Sequence, residues 1–301
     1  MRPLPALASL LLLGGAAALV PLWLGDYGIG VALSILMWVA LAESWLVISG
    51  MTGYVSLGHA VFYGLGGYFC VLTWQSLPLP LALLGGGLTS GALALLVGYP
   101  VLRVRGPYFV ILTFGLSELV KFIVINVEAS LGVFSRLLIG GPSLETLYYV
   151  MLALAAAASA LAWWVGRSRF GAGLRAIREN ETAAETIGVP VGRFKLAAFA
   201  LSAVIPGMVG AVMVLRSTYF EPMQLFDPVT SFTIVTVAIL GGSDDVRGPL
   251  LGALFLTGLS ELLWARAPQL YMILLGLLLV GFVLAAPDGI VGRLRRRTGT
   301  A

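Results

Sequence analysis

Runs of mostly apolar residues recur along this chain, and they restrict its fold more than any other feature of the sequence. A helix needs about 20 such residues to cross a bilayer, and the lipid interior admits only helices or closed barrels. With 59% hydrophobic and 11% charged residues, the chain is far from the roughly one-quarter charged composition of soluble domains. The sequence therefore predicts an all-α, polytopic membrane helical bundle, with a single transmembrane domain over residues 1–301. The predicted spans, about ten in number, are 5–24, 29–48, 58–75, 79–99, 107–127, 147–166, 196–216, 228–241, 249–265 and 269–286.

The basic residues are distributed unevenly between the two sides that these spans imply. If residues 167–195 are cytoplasmic and the sides alternate, 14 of the 18 Lys and Arg residues are cytoplasmic, as is usual for membrane proteins. This distribution predicts an even number of spans with both termini in the cytoplasm. Residues 1–25 have the pattern of a secretory signal, but further apolar runs follow at once, so we expect them to be retained as a first helix. The outer loops are mainly acidic, which fits either simple solvation or docking of an external partner.

The stretch 167–195 is a polar island that holds nine of the 32 charged residues. It predicts a short amphipathic helix in which Asn180 or Thr182 begins a second turn and Gly188 with Pro190 ends it. Two interpretations stay open: a docking site for a soluble partner, or a surface helix that lies on lipid headgroups. Three nearby glutamates disfavour the second interpretation. The expected apolar positions are Leu174, Ile177, Ala184 and Ile187.

A glycine-rich stretch from Gly50 to His59 separates the second and third predicted spans. So many glycines disfavour a regular helix, so the stretch is either an unwound or re-entrant segment or a tight cytoplasmic turn. A second glycine-rich stretch extends from Gly241 to Pro249. The two stretches share mostly Gly and Ser residues, which are only a weak sign of internal duplication.

Ionisable residues inside apolar spans are candidates for function because their burial in lipid is costly. Glu43, Glu118, Lys121 and Glu261 are of this kind. Glu118 and Lys121 are three residues apart, so they form either a neutralising pair on one helix face or a substrate contact. His59, the only histidine, is expected to cap a helix start or bond a neighbouring backbone group, with proton coupling as the alternative.

No pattern predicts a catalytic residue or a metal site. The only histidine is His59 and the acidic residues are scattered, so a His-based triad or a His-rich metal site would have no second member. The single cysteine, Cys70, excludes an intrachain disulfide and a thiolate cluster. The chain also has no GxxxxGK[ST] phosphate loop. We therefore expect no enzyme activity, no cofactor bound by this chain and no nucleic-acid partner; any energy must come from another subunit.

Several blocks of residues with ordered spacing extend from about Leu41 to Gly292. They are Gly53–Ala60 with Phe62, Gly64, Gly66 and Tyr68; Leu102–Phe109 with Thr113, Gly115 and Glu118; Ser168–Gly171 and Leu174–Glu181 with Ala183, Ala184 and Gly188; and Gly241-Gly242, Gly248-Pro249, Gly252-Ala253, Ala286-Pro287 and Gly289. In this order they resemble the inner-membrane permease subunits of bacterial branched-chain amino-acid ABC importers, of the LivH/LivM type and closer to LivM. Such permeases commonly have Gly-Gly-x-Gly-Ser where this chain has two carboxylates, Asp244 and Asp245.

The resemblance implies a multi-pass subunit of the bacterial inner membrane that moves substrate by alternating access. Its implied partners are a second, homologous permease, two cytoplasmic ATPase subunits that bind ATP and Mg, an external amino-acid-binding protein and membrane lipid. A Glu-x-Ala-Ala-x-x-x-Gly pattern implies an ATPase-coupling helix, and the candidate coupling residues are Arg175, Arg178, Glu179, Asn180, Glu181, Ala183, Ala184 and Gly188. The candidate substrate-path residues are Gly53, Ser56, Gly58, His59, Glu118 and Asn126.

The sequence leaves rival functions and the substrate open. A secondary transporter or channel would need titratable or ion-binding residues along a path, and the spans contain few. A membrane-embedded enzyme would need a nucleophile with a base, or a metal cluster. Within the family, branched-chain or other hydrophobic amino acids compete with urea and short amides as the substrate.

Overall fold

The computed structural model describes residues 14–133, 135–242 and 248–266, together with 273, 276–277, 280–281 and 289–291. In these ranges the chain is almost entirely helical, which confirms the all-α prediction. The helices are α1 (Val20–Trp23), α2 (Asp26–Trp45), α3 (His59–Thr73), α4 (Leu79–Val101), α5 (Pro107–Ser130), α6 (Leu144–Arg167), α7 (Arg169–Glu179), α8 (Glu181–Thr186), α9 (Val191–Ser217), α10 (Pro222–Leu225), α11 (Pro228–Gly241) and α12 (Gly248–Arg266). Two short strands are β1 (Arg136–Leu137) and β2 (Tyr219–Phe220).

Six described stretches are long and apolar enough to cross a membrane, which is fewer than the ten spans predicted. They are Asp26–Gly50, Leu79–Val101, Pro107–Ser130, Leu144–Arg167, Val191–Ser217 and Pro222–Gly241. Helix α3 has 15 residues, or about 22 Å, so it is shorter than the hydrocarbon layer of about 30 Å. The predicted span 5–24 is described only from residue 14, and the predicted span 269–286 lies largely outside the described residues. The count of ten is therefore not confirmed.

Helix α9 lies at the centre of the bundle, where it packs most extensively against α4 and α3. Small residues allow this close approach, because a Cβ on Gly66 would collide with the backbone of Gly207, and one on Gly210 would collide with the carbonyl of Tyr63. Such contacts are typical of helices packed in lipid, where small residues bring backbones together. As a result, α3 and α9 are held in one fixed register.

The bundle has two ends that differ in structure. At the first, called the loop end, α7 and α8 connect α6 to α9. At the second, called the ribbon end, β1 pairs antiparallel with β2, with Arg136 opposite Phe220. The carboxylate of Glu128 at the ribbon end accepts two hydrogen bonds from Arg136, both 3.0 Å long, and one of 2.7 Å from the hydroxyl of Tyr68. These contacts fasten β1 to α5 and α3.

The chain leaves regular helix between α2 and α3. Helix α2 continues as a π-helical turn over Leu46–Gly50, and residues 53–58 are not helical. This confirms the prediction of an unwound segment. Ser56 and His59 are fully buried, whereas Gly53 is exposed, so the segment leads from the protein surface into the bundle.

Candidate functional site

The predicted coupling loop contains two helices, α7 and α8, separated by an extended residue, Asn180. The side chain of Asn180 caps α8 by accepting a hydrogen bond of 3.0 Å from the amide of Ala183. At the other end, Gly188 has φ of +89°, and the amide of Val189 donates to the carbonyl of Ala184 at 3.0 Å, as in a Schellman motif. The predicted start at Asn180 and stop at Gly188 are both confirmed.

Glu181, the first residue of α8, is fastened to three other parts of the chain. Its carboxylate accepts hydrogen bonds from Lys195 Nζ at 2.6 Å and the Tyr54 hydroxyl at 2.8 Å, and Arg105 Nε lies 3.1 Å away. Lys195 also donates to the Leu102 carbonyl at 3.1 Å. We call this network the Glu181 anchor. It joins α8 to α9, to the turn after α4 and to the unwound segment.

The Glu181 anchor shifts the pKa of two of its members, Glu181 and Tyr54. Burial alone would raise the pKa of Glu181, but the hydrogen bonds from Lys195 and Tyr54, with the positive charges of Lys195 and Arg105, lower the pKa below its ordinary range. Burial, followed by the hydrogen bond to Glu181, raises the pKa of Tyr54. At neutral pH the glutamate is therefore charged and the tyrosine is protonated, which are the states that these hydrogen bonds require.

The two alanines of α8 differ in exposure. Ala184 is only 1% exposed and packs towards the bundle, whereas Ala183 is exposed. Ile187, which the pattern placed on the apolar face with Leu174 and Ile177, is 75% exposed, and that part of the prediction is wrong. The face that α8 turns away from the protein, called the α8 outer face, consists of Thr182, Ala183, Glu185, Thr186 and Ile187.

The other predicted coupling residues are spread over α7. Arg178 donates to the carbonyl of Gly50 at 2.9 Å, so α7 is tied to the π-helical turn that precedes the unwound segment. Arg175 donates to the carbonyl of Gly166 at 2.7 Å, and Glu179 is exposed. Arg178 therefore belongs with the Glu181 anchor as a link between the loop and the unwound segment.

Side chains from neighbouring helices satisfy the backbone of the unwound segment. Trp45 Nε1 donates to the carbonyl of Ser56 at 2.8 Å, the amide of Leu57 donates to Thr113 Oγ1 at 3.1 Å, and the amide of Ala60 donates to Ser231 Oγ at 2.9 Å. Non-helical backbone within a membrane is tolerated when protein satisfies it in this way. The segment thus brings Ser56, Gly58 and His59 into the interior of the bundle.

The structure does not bring all the substrate-path candidates together. Asn126 lies 13 residues beyond Thr113 on α5, or about 20 Å along the helix, and its Nδ2 donates to the carbonyl of Phe122 at 2.7 Å. Glu118 and Lys121 form the predicted pair, with 2.5 Å between Oε2 and Nζ. Asn126 therefore cannot share one site with His59. Glu118 pairs with Lys121 through Oε2, while its buried Oε1 has no hydrogen-bond partner among the described residues.

His59 begins α3, but its side chain forms neither the helix cap nor the hydrogen bond to a neighbouring backbone group that the sequence predicted. Both ring nitrogens lack a hydrogen-bond partner among the described residues, and the ring meets Phe62 edge-on, with 5.7 Å between centroids.

Gly53, the remaining candidate for the substrate path, is exposed and has φ of +76°. Among the described side chains no group of three or more His, Cys, Asp and Glu residues could hold a metal ion.

Comparison with known proteins identifies the family. The family model described as "Branched-chain amino acid transport system / permease component" matches residues 28–283. The chain belongs to this permease family. It is 27% identical to the high-affinity branched-chain amino acid transport system permease protein LivM of Salmonella typhimurium, over 90% of this chain and 71% of that protein.

Two further relatives agree with this assignment. The LivM protein of Escherichia coli is 27% identical over 87% of this permease and 69% of its own length. A probable LivH permease of Methanocaldococcus jannaschii is 27% identical over 58% of this permease and 55% of its own length. No solved structure matches the chain.

Four members of the Glu181 anchor could not be predicted from the sequence. Tyr54, Leu102 and Arg105 lie in blocks that carry the family resemblance, and Lys195 lies in the polar island, but no spacing relates them to Glu181. Their separations from Glu181 range from 14 residues for Lys195 to 127 for Tyr54. They meet because Lys195 of α9 reaches both the Leu102 carbonyl in the turn after α4 and the Tyr54 hydroxyl in the unwound segment. Asp244 and Asp245, whose role was left open, lie outside the described residues.

Proposed function

We propose that this permease is the membrane subunit of a binding-protein-dependent ABC importer for branched-chain or other hydrophobic amino acids, and that the α8 outer face docks on a partner ATPase. The permease itself hydrolyses nothing; ATP and Mg are bound by two cytoplasmic ATPase subunits. A second, homologous permease and an external binding protein complete the importer in the bacterial inner membrane.

The proposal rests on how α8 is held against the protein and on which of its residues are exposed. A helix of six residues is too short to be stable on its own, yet α8 has a side-chain cap, a Schellman end and the Glu181 anchor. All these contacts hold its inner face, and they leave Ala183 and the largely exposed Ile187 on the other side. A small residue beside an exposed aliphatic side chain suits close contact with another protein better than contact with water.

The composition of α8 disfavours the alternative of a helix lying on lipid headgroups. Helices of that kind carry Lys and Arg for anionic lipid. Glu181–Thr186 contains two glutamates and no basic residue, and Glu185 is exposed. The α8 outer face would therefore be repelled by an anionic membrane surface, whereas a protein groove can accommodate it.

Contacts behind α8 supply a route for alternating access. A movement of α8 displaces Glu181, which holds Tyr54 by a hydrogen bond of 2.8 Å, and Tyr54 lies two residues before Ser56 in the unwound segment. Arg178 holds the opposite end of the same region through Gly50. ATP-driven closure of the ATPase pair thus pulls on the non-helical part of the bundle, where the backbone can rearrange without breaking a helix.

Replacing Ala183 with Leu tests the docking role. In proteoliposomes that contain the complete importer, we expect Ala183→Leu to lower ATP-driven uptake at least tenfold, because a branched side chain prevents close contact with the ATPase. Insertion and thermal stability should stay at wild-type values, since Ala183 is exposed. The matched control is Ala172→Leu, which enlarges an exposed alanine of α7 and should keep normal uptake.

Two results would contradict the proposal. Normal uptake by Ala183→Leu removes the coupling role of the α8 outer face. Uptake that persists in the absence of any ATPase subunit, driven by an ion gradient, supports a secondary transporter instead. Orientation is checked with Ala183→Cys, because the only native cysteine, Cys70, is buried; a membrane-impermeant thiol reagent should label Ala183→Cys in inverted vesicles and not in intact cells.

A further inference from the structure

Arg216, the penultimate residue of α9, turns its charge back into the bundle at the ribbon end. Its Nη1 donates to Ser34 Oγ at 3.0 Å, and Ser34 lies eight residues into α2, about 12 Å from the start of that helix by the helical rise. An arginine at the end of a helix usually extends its head group to water. The position of Arg216 between α2 and α9 therefore needs an explanation.

Pairing with an acid does not supply that explanation. Among the described side chains, the ion pairs are Arg105 and Lys195 with Glu181, Lys121 with Glu118, and Arg136 with Glu128. No described carboxylate lies within ion-pair distance of Arg216. A charge inside a membrane protein is costly unless it is compensated, so the guanidinium has capacity for a partner that the described chain does not provide.

The surroundings of Arg216 leave most of its donors unused. A guanidinium has five N–H donors, and in the described part of the structure only Nη1 is engaged, with Ser34. The Ser34 hydroxyl in turn donates to the Gly30 carbonyl at 3.0 Å, which fixes it as an acceptor for Arg216. Gly30 has no side chain to cover the head group: a Cβ there would stand 3.2 Å from Nη2.

A tyrosine from a third helix adds another donor. Tyr63 of α3 is close enough to Arg216 for an electrostatic interaction, it is half-buried, and its hydroxyl has no hydrogen-bond partner among the described residues. The contact between Gly210 and the Tyr63 carbonyl holds this part of α3 against α9. Arg216 and Tyr63 thus offer a cation and an O–H donor in one region, and the Tyr63 hydroxyl and the remaining Arg216 donors have no hydrogen-bond partner among the described residues.

We propose that Arg216, supported by Ser34 and assisted by Tyr63, binds the carboxylate of the substrate where the substrate enters the bundle from the ribbon end. A planar guanidinium matches a carboxylate with two parallel N–H donors, and the negative charge compensates the arginine. Urea or an uncharged amide would leave that charge unpaired. This inference rests on the proposed function and narrows its substrate to molecules with a carboxylate, which favours amino acids over amides.

The test uses the purified assembly of the permease with its ATPase subunits, without the binding protein, so that the selectivity of the binding protein does not enter. L-Leucine should raise the thermal unfolding temperature of the wild-type assembly, whereas L-leucinamide, which has the same side chain and no carboxylate, should not. Arg216→Gln should abolish the leucine effect. Arg216→Lys keeps the charge without the planar fork and should need about tenfold more leucine for the same shift.

A matched control removes an arginine elsewhere. Arg103 is exposed at the loop end and lies over the Tyr99 ring, so Arg103→Gln should keep the full leucine effect. If Arg216→Gln does not yield a monodisperse assembly, Arg216→Lys tests the inference instead. A leucine dependence of the unfolding temperature that is unchanged in Arg216→Lys overturns the inference. Equal shifts with leucine and leucinamide, or no leucine shift in the wild type, also overturn it.

The result is separable from the proposed function, which is judged by ATP dependence of uptake in proteoliposomes. ATP-dependent uptake together with a full leucine shift in Arg216→Gln removes the carboxylate site and leaves the importer role intact. A leucine shift that depends on Arg216, in a wild type whose uptake needs no ATPase, supports the carboxylate site and removes the importer role.

Discussion

Helix α9 turns one basic side chain into the protein near each of its ends, and the two differ in what surrounds them. Lys195 at the loop end donates to the carboxylate of Glu181, the hydroxyl of Tyr54 and the carbonyl of Leu102. Arg216 at the ribbon end donates to one hydroxyl, that of Ser34. The first charge is neutralised within the fold, whereas the second has only neutral partners among the described residues.

This difference separates a structural role from a binding role. A buried charge that is paired and hydrogen-bonded holds elements together, and losing its partner is costly. A charge with spare donors and no acid nearby contributes little to holding the fold, but it is ready to receive an anion. The loop end therefore suits transmission of movement, and the ribbon end suits capture of a charged small molecule.

Removing Lys195 should have the largest effect on stability. Lys195→Ala leaves Glu181 charged in a site where its side chain is only 11% exposed, and the loss of a buried partner costs about 3 kcal/mol. The lower end of the usual range applies because Tyr54 and Arg105 still contact the carboxylate. The apparent free energy of unfolding in mixed detergent micelles measures the effect.

The control for Lys195 lies two residues earlier. Arg193 is on the first turn of α9 and is exposed, so Arg193→Ala should change the free energy of unfolding by less than about 0.5 kcal/mol. Equal losses of unfolding free energy in the two variants would show that positive charge at the start of α9, and not the Glu181 anchor, determines stability there. Lys195 would then no longer differ from an ordinary surface charge.

Local features of this chain could be predicted from its sequence. The cap at Asn180, the stop at Gly188 and the pair of Glu118 with Lys121 involve residues no more than a few positions apart, so helix geometry and capping rules were sufficient. The central spans were also placed within a few residues, because their apolar runs end at charged or glycine-rich positions. These are the parts of the fold that short-range chemistry determines.

Features that depend on tertiary packing could not be predicted. Ile187 has the right spacing for the inner face of α8, but the extended backbone at Asn180 gives α7 and α8 different axes, so one periodicity does not describe both. No spacing or motif in the sequence points to Arg216. Its approach to Ser34, 182 residues away in sequence, depends on how α2 packs against α9.

A third basic residue sharpens the comparison, because Arg136 is an arginine at the ribbon end that does have an acid partner. Glu128 is 2% exposed and accepts both of its hydrogen bonds. Arg136→Gln should therefore lower the free energy of unfolding by about 2 kcal/mol, because it leaves a buried carboxylate without its cation, as Lys195→Ala does. The rise in unfolding temperature that leucine causes through Arg216 should stay intact.

The double variant Glu128→Gln with Arg136→Gln distinguishes this explanation from a general need for arginine at the ribbon end. Because it removes both charges together, the unfolding free energy should be closer to the wild-type value than that of Arg136→Gln alone. A double variant that is less stable than the single one would mean that Glu128 is not left unpaired by the loss of Arg136.

The smallest effect, and the one of opposite sign, is expected for Arg216 without ligand. Since no described acid compensates its charge, Arg216→Gln should leave the free energy of unfolding unchanged or raise it by about 1 kcal/mol, as replacement of poorly compensated interior charges commonly does. The measurement is the same micellar unfolding, in leucine-free buffer. A loss as large as that of Lys195→Ala would place Arg216 among the structural charges, and the two ends of α9 would then work alike.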